Sequence, residues 1–178
     1  MKQQSKIIIV LSLLLLVCFN SNAQRKKRLA DKATKEWKYD IECVNTAKQG
    51  TKLVKVWSYS KKKKYATSQA MKNAVHGIIF KGFSGGGRNC TAFKPLVNSP
   101  MTKEKYNVFF ENFFKDGKYG GEYSKFVTIA NDGNIGAGDR LKVDRKTYKI
   151  GVIVNVMTDL LRKRLEEEGI IQGLNSGF

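Results

Sequence analysis

The 178 residues contain one histidine, two prolines, three cysteines and only 15 acidic side chains, and each scarcity excludes something. One histidine beside so few cysteines leaves too few ligands for a structural zinc site, so neither a metal nor a cofactor is expected. With so little proline and 42% hydrophobic residues, the composition is not that of a disordered or linker chain. Acids are outnumbered by 33 Lys and Arg, which leaves a formal net charge of +18 and no acidic tail. Long apolar runs are also missing. Ile7 to Val17 is an apolar stretch of 11 residues, whereas a bilayer-spanning helix takes about 20.

What that stretch does fit is an export signal. Lys2 and Lys6 precede it, and Ser21-Asn22-Ala23 follows as a small-x-small cleavage site. Residues 1–23 are therefore read as a cleaved signal peptide, giving a periplasmic or outer-membrane-associated product with no transmembrane segment. An uncleaved anchor would need a longer run. A lipoprotein would use Cys18, but Leu15-Leu16-Val17-Cys18 puts a bulky valine where a lipobox takes a small residue.

Cleavage removes Cys18 and leaves Cys43 and Cys90, a pair in a compartment where disulfides persist. A Cys43–Cys90 bridge is expected, with two separately buried thiols as the alternative. On the chain-entropy model, closing this loop is worth about 3 to 4 kcal/mol.

Charge is concentrated at the front. Residues 24–64 hold 14 Lys and Arg against 4 Asp and Glu, net +10, whereas residues 65–178 hold 17 against 11, net +6. Two runs supply much of the excess: Arg25-Lys26-Lys27-Arg28 in a basic, flexible arm over residues 24–36, and Lys61-Lys62-Lys63-Lys64. Such runs bind phosphate-rich polymers, including nucleic acid, by releasing counterions. With no aromatics interleaved, they also read as a solvated face.

Residues 37–178 read as a single α+β domain, an antiparallel sheet of about four strands packed on two or three helices. Alternation predicts strands over 39–44 and 53–59, joined as a hairpin after Lys48-Gln49-Gly50. Ala66, Ala70, Ala74 and Ile78 then recur every fourth residue, predicting a helix to Lys81 whose small residues let it approach a sheet, with Gly82 as its left-handed cap. Ser99-Pro100 opens a second helix with Tyr106, Phe109, Phe110, Phe113 and Phe114 on one face, as core or as a lid over an apolar pocket. Strands follow over 123–130 and 147–156. Thr158 or Asp159 is expected to cap a final helix through Glu168, with Leu160, Leu161 and Leu165 inward. Ile170, Ile171 and Leu174 of the tail are expected to pack on the body.

Candidate chemistry is sparse. His76 is either a general base or a packed helix residue, and no serine or free-thiol motif accompanies it. Ser84-Gly85-Gly86-Gly87-Arg88 looks like a phosphate loop but follows a helix and lacks a Gly-Lys-Ser/Thr ending, so Arg88 alone is kept as an anion-binding candidate. Asn131 to Asp139 is rich in amide, acid and glycine, yet it lacks the spacing and closing glutamate of a calcium loop and reads as a turn.

The segments Lys55-Val56-Trp57-Ser58-Tyr59-Ser60, Asn73-Ala74-Val75-His76-Gly77-Ile78-Ile79-Phe80-Lys81-Gly82-Phe83 and Gly138-Asp139-Arg140-Leu141-Lys142-Val143 resemble a family of uncharacterised secreted proteins from Bacteroidota. The resemblance spans most of residues 37–178 and carries over no catalytic residue. In element order the chain is also similar to the small α+β domain of LPP20-type envelope lipoproteins. Two functions are thus expected of it: a non-enzymatic domain that binds an envelope protein through its sheet edge or basic front, or an electrostatic binder of nucleic acid or anionic envelope polymer.

Overall fold

The computed structural model describes residues 32, 36–45, 47–60, 62–86, 89–116, 121–145 and 147–173, with Lys63 by its backbone alone. The basic run Arg25 to Arg28, Lys61, Arg88 and Leu174 lie outside these residues. Valine-rich alternation produces the centre of the sheet. Strands β1 (Tyr39–Asn45), β2 (Lys52–Ser60) and β5 (Tyr148–Val156) pair antiparallel in the order β1-β2-β5. Two three-residue strands, β3 (Val127–Ile129) and β4 (Arg140–Lys142), pair with opposite ends of β5 on its other edge. The α+β class and antiparallel sheet follow the sequence, with β4 as a fifth strand.

Period 2 assigns the two sheet faces. Val54, Val56, Ile150, Val152, Val154 and Val156 point inward and are all at most 1% exposed. Helix α1 (Lys63–Phe80) covers this face, with Ala66, Ala70, Ala74 and Ile78 fully buried as their spacing predicts. Inside this interface Asn73 Nδ2 donates to Ser58 Oγ at 3.0 Å, joining helix to strand through a paired polar contact. Every residue of α1 from Asn73 to Ile79 is buried, so the helix is packed on both sides.

Its second side meets an aromatic layer. The predicted second helix is split at Tyr106 (ψ 25°) into α2 (Pro100–Lys105) and α3 (Asn107–Phe113). Phe110, Phe113 and Phe114 are core, packed edge-to-face or stacked on Phe80, Phe109, Phe126 and Tyr123. The stripe is therefore structural rather than a lid. The strand expected over 123–130 shortens to β3 because Glu122–Phe126 coils into a 3₁₀ turn, which puts Tyr123 and Phe126, three residues apart, on one buried side. Helix α4 (Thr158–Glu167) buries Leu161 and Leu165, but Leu160 is 54% exposed. Met157, not Thr158 or Asp159, is its N-cap, because the Thr158 hydroxyl is used on the Gly50 carbonyl instead. Ile170 is buried and Ile171 packs on the core, as expected of the tail.

The end of α1 is fixed twice. Leu96 and Val97 N–H groups donate to the Ile78 and Ile79 carbonyls at 3.1 and 2.8 Å, and Gly82 (φ +66°) closes the helix by donating to the Gly77 carbonyl at 2.8 Å. A Cβ at Gly82 would collide with the Phe93 carbonyl oxygen. Gly82→Ala is therefore expected to lower the unfolding free energy by about 1 to 3 kcal/mol, read from the urea midpoint. Gly138→Ala, where nothing lies within 4 Å, is the control and is expected to leave the midpoint unmoved.

Candidate functional site

Cys43 of β1 and Cys90 are bonded, with Cα atoms 5.8 Å apart. The bridge holds the 89–96 segment beside the β1–β2 turn, and the start of α4 closes the third side. Gly50 is the junction. Its carbonyl accepts from Thr158 Oγ1 at 3.0 Å and from the Asp159 N–H at 3.1 Å. Its φ of +76° suits glycine, and a Cβ there would sit 2.7 Å from Asp159 Oδ2.

Between these three walls lies a groove of about 450 Å³. Lys48, Lys52 and Arg162 line it against a single carboxylate, Asp159, with Phe93 and the Cys43 side chain as apolar wall. Lys52 Nζ stands 5.6 Å from the centre of the Phe93 ring. Among the described carboxylates Arg162 has only a long contact, 3.9 Å, with Glu166. Among the described carboxylates none forms an ion pair with Lys48 or Lys52. The groove thus carries a surplus of positive charge in a partly enclosed space, where Coulomb attraction is less screened than on open surface.

Sequence reading missed this set. Lys48-Gln49-Gly50 reads as a hairpin turn and Asp159 as a candidate helix cap, and Lys52 and Arg162 are not singled out. The legible signals were the expected disulfide, which brings Cys43 and Cys90 together, and the i, i+3 spacing that aligns Asp159 with Arg162.

Of the anion-binding candidates singled out from sequence, the described Lys62 and Lys64 lie outside the groove. Lys62 and Lys64 are exposed at the start of α1, whose first turn contains no acidic residue. Asp139 of the glycine-rich 131–139 loop is engaged by Lys55 at 2.7 Å.

His76 is 4% exposed. The Tyr39 hydroxyl and His76 Nδ1 share a hydrogen bond of 2.6 Å, and Trp37 stacks on the ring with centroids 3.6 Å apart. Phe80 and Phe114 complete the enclosure, while Nε2 is buried with no hydrogen-bond partner among the described residues. Desolvation first, and then the ammonium groups of Lys103 and Lys81, lower its pKa from 6.5 to about 3. Burial likewise raises the Tyr39 pKa. The imidazole is therefore a neutral packing residue at physiological pH. Both Cys43 and Cys90 are oxidised, so neither offers it a thiol partner.

This burial has a pH consequence. The unfolded chain takes a proton near pH 6.5 and the folded chain only near pH 3, so stability is full above pH 6.5 and falls by about 1.4 kcal/mol per unit below it. Between pH 6.5 and 5, above the usual carboxylate range, the wild type is expected to show this slope in urea unfolding and His76→Gln a nearly flat one. Equal slopes would contradict the assignment.

No protein-family model, curated protein or solved structure matches this chain.

Proposed function

We propose that the chain is an exported, non-catalytic binding domain of the cell envelope, and that its groove takes the anionic groups of an envelope polymer or partner protein. The observation that carries this reading is the convergence of Lys48, Lys52 and Arg162 on one cavity with a single opposing carboxylate. Disulfide, strand, turn and helix fix the cavity's walls, so little ordering is needed on binding. The export half of the reading rests on residues 1–23 and on the preference of disulfides for oxidising compartments. Among the described residues no helix is long and apolar enough to cross a membrane.

The sheet edge is the weaker docking surface. β1 is an edge strand, but its irregular pairing between Cys43 and Asn45 and its exposed Asp40 and Glu42 are the features that discourage strand addition.

A second reading places the anion at the lysine run instead. Its support is that Lys62 and Lys64 sit exposed at the start of α1 with no first-turn acid. Cations there oppose the helix dipole at a cost of about 0.3 to 1 kcal/mol each, a cost that a bound polyanion would reverse.

Calorimetric titration with tripolyphosphate tests the groove. Binding is expected to weaken about tenfold in Lys48→Ala and again in Arg162→Ala, as for loss of one charge-assisted contact, and to fall with added salt. Unchanged affinity in both variants, together with loss in a Lys62→Ala/Lys64→Ala variant, would replace the first reading by the second.

A further inference from the structure

The sheet face opposite α1 follows a different electrostatic rule from the groove. In register, Asp40, Trp57 and Gly151 form one row across β1, β2 and β5, and Glu42, Lys55 and Ile153 form the next. Tyr59 and Lys149 pair on the other side of Trp57, with Leu141 of β4 beyond. Trp57 is half-buried at the centre.

Its indole is held on three sides. Nε1 donates to Glu42 Oε1 at 2.9 Å. Gly151 has no side chain, and a Cβ there would stand 3.2 Å from Trp57 Cε3 and Cζ3, so the six-membered ring lies across β5 at that glycine. Lys55 and Lys149 flank it, each with Nζ 5.6 Å from the ring centre. The Tyr59 ring stands in the neighbouring row. The result is a fixed aromatic surface on a sheet, rimmed by both hydrogen-bond acceptors and donors.

Every described cation near this ring is already matched. Lys149 pairs with Asp40 at 2.5 Å and Lys55 with Asp139 at 2.7 Å, and Glu42, with no ion pair among the described residues, adds a carboxylate that accepts from the indole. Among these described residues around the ring a polyanion therefore finds no unpaired cation. A neutral ligand with an apolar flat face and hydroxyls around its edge finds a stacking surface with carboxylates to accept from hydroxyls and ammoniums to donate to them.

We propose that this face binds the sugar rings of a neutral glycan, with Trp57 as the stacking platform and Asp40, Glu42, Lys55 and Lys149 as the hydroxyl-reading rim. The site is separate from the groove and stands or falls independently of it.

The two tryptophans make the test direct, because each gives its own indole N–H peak in a nitrogen-15 spectrum, with Trp57→Phe assigning the pair. The full chain without its signal would be titrated with chitohexaose, cellohexaose and maltohexaose. The expected result is a saturable shift of the Trp57 peak, and not of the peak of Trp37, which is stacked on His76, with at least one of the three. Trp57→Ala is expected to weaken that binding about tenfold or more. Gly151→Val, which displaces the ring without removing an aromatic group, is expected to do the same. No Trp57 shift with any hexasaccharide at millimolar concentration, or binding unchanged in Trp57→Ala, would overturn the proposal. So would a larger Trp57 shift with an oligothymidylate, which would assign the ring to a nucleobase.

Discussion

The close approach of one helix to the sheet is the constraint on which the rest of this structure depends. At Ala66, Ala70 and Ala74, α1 presents nothing beyond a methyl group, and all three are fully buried. At Gly77 even a Cβ would stand only 2.8 Å from Ile41 Cδ1. A helix seated this deeply is covered on its far side as well, and that second cover is the aromatic layer that desolvates His76. The small-residue stripe and the depressed imidazole pKa are thus one physical fact seen from two sides of the helix. Substituting larger residues into the stripe would lift the helix and loosen the Trp37–His76 stack together.

The same placement reaches the groove. Because α1 ends at Gly82 against the Phe93 carbonyl, the chain leaves the helix next to the residues that close the cavity. Phe83 pairs with Phe93 through mutual backbone hydrogen bonds, and Cys90 between them ties back to β1. The helix end, the disulfide and the β1–β2 turn therefore form one unit. Lysines held on such walls keep their charge available to a ligand, whereas those on the open sheet face are neutralised by their neighbours. The two proposed surfaces are thus suited to chemically different ligands.

Periodicity made most of the fold legible. Val54, Val56, Ala66, Ala70, Ala74, Ile78, Val152 and Val154 are buried where spacing alone places them, because a period of 2 or 3.6 is a direct imprint of a one-sided environment. The Cys43–Cys90 bridge was legible by counting. Short-range competition hid the rest. Glu122–Phe126 has the apolar content of a strand, but a spacing of three serves a 3₁₀ turn equally well. Leu160 is as apolar as Leu161 and lies outside because the turn of the helix carries it there. Most groove residues were illegible because Lys48, Lys52 and Arg162 come from three sequence contexts that only the tertiary fold brings together. Trp57 was legible as a strand residue, but its role depends on Gly151, 94 positions away in sequence and opposite it in register.

The central claim is that the surplus cations of the groove, rather than the lysine run, receive the anion. Backbone amide mapping during a tripolyphosphate titration addresses it most directly. Shifts concentrated at Lys48, Gly50, Thr51 and Arg162, with Lys64 and Tyr65 still, are the result this account predicts. Shifts concentrated at Lys64 and Tyr65, with the groove amides still, would contradict it.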